Sequence, residues 1–268
     1  MNGSSRSIAI KKNIIASLFL KSISILVSLQ VVPLTINYIN PTRYGIWLTL
    51  SSIVAWLSYF DLGFAHGFRN RFAEAVAKGD MQLAREYVST TYVVLSLLFS
   101  GVFLIAIVVN HFVDWSAILN VDAAYSSELN IVFGILAFFF CLNIVASIFT
   151  TMLTANQKPA LASLIQTLGQ VFGFICIYVL TKTVPGNLDV LAFAFSGVPC
   201  FLLIIISIGM FLSGRYRHLS PSFHFVHFSL TKKIVGLGGQ FFIIMISMLF
   251  VFQLINIVIS RVAGPMAV

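Results

Sequence analysis

An all-α membrane protein of about seven transmembrane helices is the fold class that this sequence predicts, on three observations. Of its 268 residues, 59% are hydrophobic and only 9% charged, where a soluble domain usually carries about a quarter charged residues. The apolar residues gather into stretches of roughly 20, the length a helix needs to cross a hydrocarbon core about 30 Å thick. These stretches are rich in Phe and Leu and lack period-two alternation, which excludes the strands of a membrane β-barrel.

In chain order the expected spans cover about 13–38, 44–64, 88–109, 129–155, 160–181, 188–212 and 234–259. The first follows Lys11 and Lys12 as a signal peptide would, but it lacks a small-x-small cleavage site and runs too long, so it reads as a retained helix. Turn-forming pieces separate the spans, among them Asn40-Pro41-Thr42-Arg43, Asn156-Gln157-Lys158-Pro159 and Pro185-Gly186-Asn187. No connection is long enough for an extramembrane domain. The longest, 65–87, reads as two helical pieces split by Gly79-Asp80. Phe68, Phe72 and Val76 recur every fourth residue beside Arg69, Arg71, Glu74 and Lys78, the pattern of an amphipathic helix at the membrane boundary. Asp80 is placed to cap the piece leading into the third span.

Orientation follows from lysine and arginine in the short loops. With the N-terminus inside, the cytoplasmic side holds Arg6, Lys11, Lys12, Arg69, Arg71, Lys78, Arg85, Lys158, Arg215, Arg217, Lys232 and Lys233. The other side holds only Arg43, Lys182 and Arg261, so a cytoplasmic N-terminus is expected. The net charge of +8 then reads as an orientation signal and an anionic-lipid contact. No aromatic-plus-basic module accompanies it, and nucleic acid is not an expected partner.

Lys11-Lys12 open the first span and Asn40-Pro41 close it; Lys232-Lys233 and Gly264-Pro265 bracket the seventh in the same way. A six-helix unit that starts again is the pattern of parallel-repeat transporters. The expected domains are a six-helix bundle over 1–231 and the start of a second over 232–268, in a chain that is part of a longer protein.

Polar side chains in hydrocarbon are costly, and where they share a helix face they look toward protein or water. Ser17, Lys21, Ser24 and Ser28 fall within about 60° on the first span, with Thr35 beyond Pro33 placed less firmly on that stripe. Asn143, Ser147, Thr150 and Thr154 form a second stripe, and Gln166 and Gln170 share a side with Gly169 and Gly173. Gln253, Asn256 and Ser260 form the fourth. A polar cavity and plain interhelical hydrogen bonding both account for such stripes, and the glycine pairs Gly169/Gly173 and Gly63/Gly67 read as close-packing devices. The third and sixth spans, poor in polar residues, are expected to face lipid. Lys21 is either a cavity cation or a residue snorkelling to the interface. Asp61, an acidic residue inside an apolar run, is either an ion-pair partner of Arg69, Arg71 or Lys21 or a gating carboxylate. Cys141, Cys176 and Cys200 read as buried apolar residues. His218, His224 and His227 lack the companions of a metal site, and His66 and His111 read as interfacial. No cofactor, metal or catalytic set is expected.

Three segments resemble a known family. Pro41-Thr42-Arg43-Tyr44-Gly45-Ile46-Trp47 is similar to the turn after the first helix of bacterial O-antigen and capsular polysaccharide flippases. The run from Phe60-Asp61-Leu62-Gly63-Phe64 to Gly67-Phe68-Arg69-Asn70 resembles that family's segment at the inner end of the second helix. Arg261 to Val268 looks like its arginine-x-x-glycine-proline turn, although Met266 stands where an acidic residue is usual. The resemblance implies the polysaccharide transporter branch of the multidrug, oligosaccharidyl-lipid and polysaccharide flippase superfamily, in the bacterial inner membrane. Such proteins move an undecaprenyl-pyrophosphate-linked glycan to the periplasmic leaflet, alone or with other polysaccharide-export components. On that reading Lys21, Arg69 and Arg71 attract the head group, and Ser24, Ser28, Asn143, Gln166, Gln170 and Asn256 line the glycan path. A drug or cation antiporter of the same superfamily is the nearest rival, against which stands a lysine rather than an acid on the first span. A membrane enzyme of polysaccharide assembly would need loop arginines or a paired acid and base, and a scaffold subunit is the third alternative.

Overall fold

A computed structural model of the chain describes residues 3–55, 57, 63–119, 122–236, 239, 243 and 247. Among them the regular structure is helical, without strands. Five helical stretches are long and apolar enough to cross a membrane: Asn13–Ile39, Met81–Phe112, Ala123–Ala155, Pro159–Thr183 and Leu188–Leu212. They match the first, third, fourth, fifth and sixth spans expected from sequence. The second span is described as far as α2 (Pro41–Ala55), and of the seventh only its start, where residues 229–236 are helical.

Local sequence explains the helix boundaries. Asn40 takes a left-handed conformation (φ 73°) that ends α1 (Gly3–Ile39), and its side chain accepts a hydrogen bond from the Arg43 N–H at 3.0 Å as α2 begins on Pro41. One Asn-Pro pair thus closes a helix and opens the next. Gly63, at φ 72°, precedes α3 (Phe64–Ala77). That left-handed conformation favours glycine, and Gly63 and Gly67 are both buried. Gly79 (φ 77°) and Asp80 follow α3, and the Asp80 carboxylate accepts from the Leu83 N–H at 2.9 Å. With that cap the third span starts at Met81 and runs without interruption to Phe112 as α4, earlier than its apolar run alone implied. A short helix, α5 (Trp115–Leu119), lies between α4 and α6 (Ser126–Ala146).

The fourth span is broken at Ser147, between α6 and α7 (Ile148–Ala155). Ser147, Thr150, Thr151 and Thr154 all donate their hydroxyls to carbonyls of their own helix, a bonding that bends helices. Lys158 and Pro159 start α8 (Pro159–Thr183), and Asn187 caps α9 (Leu188–Leu212) by accepting from the N–H groups of Asp189 and Val190.

α1 and α8 run parallel and in register. Asn13 donates to the Gln157 carbonyl at 3.5 Å, Ser24 and Thr167 share a hydrogen bond of 3.0 Å, and Tyr38 donates to the Pro185 carbonyl at 3.3 Å. α9 packs between α8 and α6, burying Leu191, Ala192, Ala194 and Cys200. The expectation that this sixth span faces lipid holds for one side only: Phe201, Ile205, Ile208 and Leu212 are exposed, while on the other side Gly169 of α8 leaves room for Pro199 and Gly197 admits the Phe139 ring, so small residues rather than polar ones let α9 pack inward. Lipid-like faces lie on α1 and α4 as well, where Leu18, Phe19, Leu104 and Ile105 are exposed.

The two ends of the bundle differ. At one, here the far end, Arg43 donates to the Gly186 carbonyl at 3.1 Å and lies 3.4 Å from the Glu128 carboxylate, so α2, α6 and the α8–α9 turn are tied together. Asn110 accepts from the Trp115 indole N–H at 2.6 Å and donates to the Asn130 carbonyl at 3.1 Å. At the opposite, basic end, α3 lies with Phe64, Phe68 and Phe72 buried against the bundle and Arg69, Asn70 and Glu74 outward, the amphipathic arrangement read from sequence.

Candidate functional site

The predicted site residues divide into two groups according to what their polar atoms meet. Ser24 belongs to the first. It is buried, and its hydroxyl pairs with Thr167 of α8, so it joins two helices. Arg71 belongs there as well: it bonds the Glu74 carboxylate at 3.0 Å and the Lys233 carbonyl at 3.4 Å. Lys78 approaches Glu74 from the other side at 2.7 Å, and the hydrogen bonds from Lys78 and Arg71 hold the Glu74 carboxyl below its ordinary range.

Lys21, Arg69, Asn143, Gln166 and Gln170 form the second group. All five are exposed, and among the described residues their side chains make no hydrogen bond or ion pair. Ser28 is exposed too, although its hydroxyl donates to the Ser24 carbonyl at 2.9 Å. Asp61 and Asn256 lie outside the described residues, as do Gln253, Ser260 and the Arg261–Val268 turn.

Three cavities collect most of the second group. One, of about 180 Å³, lies between α3, α7 and α8 and is lined by His66, Arg69, Thr150, Thr151, Thr154 and Gln166. A second, of about 450 Å³, lies between α1, α2, α8 and α9, with Ser28, Tyr44, Trp47, Gln170 and Phe195 on its wall. The third, of about 240 Å³, takes in Ser51 and Asn143 and shares Trp47, Phe195 and Pro199 with the second. Gln166 and Gln170 stand one turn apart on α8, about 6 Å along its axis, with Gln166 on the wall of the first cavity and Gln170 on that of the second. Lys21 lines none of the three; it lies one turn from Ser24 toward the basic end, on the same face of α1 as Ser28.

The chemistry of these cavities is that of a polar-ligand site. Arg69 supplies a permanent cation with a planar fork of donors, and the threonines supply hydroxyl oxygens. Gln166, Gln170 and Asn143 supply amides that both donate and accept. None of the described residues lining the three cavities is a carboxylate. Unpaired amides at this depth are stable only against water or a ligand, because hydrocarbon leaves each one unsatisfied.

Sequence reasoning missed how the segment after α9 is held. Ser89 and Thr90, buried on α4, bond the N–H groups of Ser222 and His227 at 3.1 and 3.0 Å. Arg85 donates to the Ser220 carbonyl at 2.9 Å and stacks 4.1 Å over the Phe225 ring. His227 lies 3.7 Å from Glu86, a carboxylate that the linear spacing of the histidines did not reveal. The Ser-Thr pair about two turns inside an apolar helix was the available signal.

Fold and cavities together define a multi-pass, all-α membrane protein with polar clefts among its spans. Residues 10–268 match the family described as "Polysaccharide biosynthesis protein", and the chain belongs to that family. No curated protein and no solved structure matches it.

Proposed function

We propose that this chain is a flippase for lipid-linked oligosaccharide, moving undecaprenyl-pyrophosphate-linked repeat units from the cytoplasmic to the periplasmic leaflet for polysaccharide assembly. The observation that carries the reading is a set of polar tips, Arg69, Asn143, Gln166 and Gln170, that have no partner among the described residues and line neighbouring cavities of a helical bundle. Family membership supplies the link to polysaccharide. A diphosphate requires a cation and donors, which Arg69 and Gln166 offer; a glycan requires amides and hydroxyls, which the neighbouring cavities offer; the lipid tail stays in the bilayer. The basic end, with Lys78, Arg85, Lys158 and Arg69, faces the cytoplasm under the positive-inside rule. The bundle works with a second one that completes the site, and association with other polysaccharide-export components is part of the same proposal.

A cation antiporter of related architecture is disfavoured by the absence of carboxylates among the described lining residues. The deciding experiment uses a strain lacking the gene, complemented with the wild-type gene or an Arg69→Ala version. A periplasmic glycan-modifying enzyme reports which leaflet holds the lipid-linked repeat unit. Cytoplasmic accumulation in the deletion strain, relieved by wild type and poorly relieved by Arg69→Ala at matched abundance, supports the flippase. Normal periplasmic transfer in the deletion strain removes it.

A further inference from the structure

The 450 Å³ cavity between α1, α2, α8 and α9 has a wall unlike that of the Arg69 cavity. Tyr44, Trp47, Phe174 and Phe195 make it aromatic, Ser28, Thr35 and Gln170 add polar groups, and none of these lining residues is formally charged. Trp47 is fixed in place: it is 3% exposed and meets the Phe195 ring edge-on at 5.0 Å between centroids. The hydroxyls of Ser28 and Thr35 are bonded to carbonyls of α1. Among the described residues the Gln170 amide and the Tyr44 hydroxyl have no hydrogen-bond partner.

A further acceptor comes from the backbone. Pro199 lies inside α9 and has no N–H, so the Phe195 carbonyl loses its usual helical donor. Both residues line the cavity. At membrane depth an interrupted helical ladder is tolerated where it borders water or a ligand.

Aromatic walls, one amide, one phenol and a released carbonyl select among ligand chemistries. A diphosphate or a uronate meets no cation here. An isoprenoid chain fills the space but leaves the amide, the phenol and the carbonyl unsatisfied. A neutral pyranose satisfies both demands, because its C–H faces are apolar and its rim hydroxyls donate and accept.

We propose that this cavity binds an uncharged pyranose unit of the glycan, with Gln170 and Tyr44 as its hydrogen-bonding residues and Trp47 as part of its aromatic wall. The proposal rests on the flippase reading and deepens it. The sugar lies toward the far end while the diphosphate lies at Arg69, separated by the turn of α8 between Gln166 and Gln170.

The test measures binding to the full chain in lipid nanodiscs free of glycoside detergent, by titration calorimetry. The probes are farnesyl diphosphate, farnesyl diphosphate carrying a neutral disaccharide, and the same lipid carrying a uronate-containing disaccharide. The neutral glycolipid is expected to bind about tenfold more tightly than the bare lipid, and the uronate form to lose that advantage. Gln170→Ala, which truncates an exposed side chain, and Tyr44→Phe, which removes one hydroxyl, each bring the ratio of the two affinities toward one. Phe172→Ala, on the outward side of α8, keeps the ratio. Equal wild-type affinity for the neutral glycolipid and the bare lipid overturns the sugar site and leaves the flippase reading standing. A ratio unchanged by both Gln170→Ala and Tyr44→Phe also overturns it. Failure of the wild type to bind any of the three probes overturns both.

Discussion

Arg43 and Arg69 stand at opposite ends of one bundle, and their surroundings give one side chain two tasks. Arg43 is enclosed: Glu128 lies at 3.4 Å, the Gly186 carbonyl at 3.1 Å and the Tyr125 ring at 5.7 Å from its guanidinium carbon. Arg69 opens onto threonine hydroxyls and Gln166, whose amide has no partner among the described residues. An arginine tied to a carboxylate and a carbonyl clamps helices even with its Nε left unbonded, as in Arg43, whereas one whose guanidinium has no partner among the described residues is ready for an anionic ligand. The far end is thereby built as a rigid closure, and the basic end as the mouth of a cavity.

The largest effect expected from disturbing this contrast is at Gly186. A Cβ there would overlap the carbonyl oxygen of Tyr38, so Gly186→Val forces the α8–α9 turn away from α1. We expect a loss of about 3 kcal/mol or more, read as a lower unfolding temperature in detergent. An unchanged unfolding temperature would show that the far end is no clamp. Next comes the arginine pair itself. Arg69→Ala should lower glycan export by about tenfold at normal abundance, while Arg43→Ala should lower abundance first. Export and immunoblot of both variants decide it, and an interchange of the two phenotypes breaks the comparison.

Lys21→Ala should lower export several-fold more than Lys21→Arg, since the arginine keeps the charge on the α1 face of Ser28. Equal export from both variants and wild type would leave Lys21 a snorkelling residue. Ser24→Ala removes the hydrogen bond to Thr167, and a cost of about 0.6 kcal/mol should appear as a small drop in unfolding temperature without loss of export. The smallest effect is electrostatic. The Glu74 carboxyl is held low by Lys78 and Arg71, so its contribution is present at neutral pH, above the unfolded-state value, and disappears as pH falls through the depressed folded value. Thermal unfolding of wild type and Glu74→Gln should therefore differ slightly at neutral pH and converge in acid.

Much of the fold was legible in the sequence because each feature depends on neighbours in the chain. The length of an apolar run sets a span, Asn40-Pro41 and Gly79-Asp80 set helix ends, and Phe68 and Phe72 at four-residue spacing set the buried face of α3. The candidate site was legible only as stripes. Nothing in the linear pattern separated Ser24, which bonds Thr167, from Ser28 one turn on, which lines a cavity. Nor did it separate Arg71, held by Glu74, from Arg69 two residues earlier.

By itself the sequence determined that the chain is a helical membrane protein, where several of its helices end, and which end of the bundle carries the positive charge. The physical reason is that hydrocarbon demands internal hydrogen bonding and penalises charge, and both demands are met residue by residue along a helix. The tertiary structure alone decided that α1 lies parallel to α8, that Pro199 fits against Gly169, and that α9 packs inward. These depend on shape and partner atoms contributed from more than a hundred residues away in the case of α1 and α8, and only those contacts determine which polar atoms are paired and which remain open to a ligand.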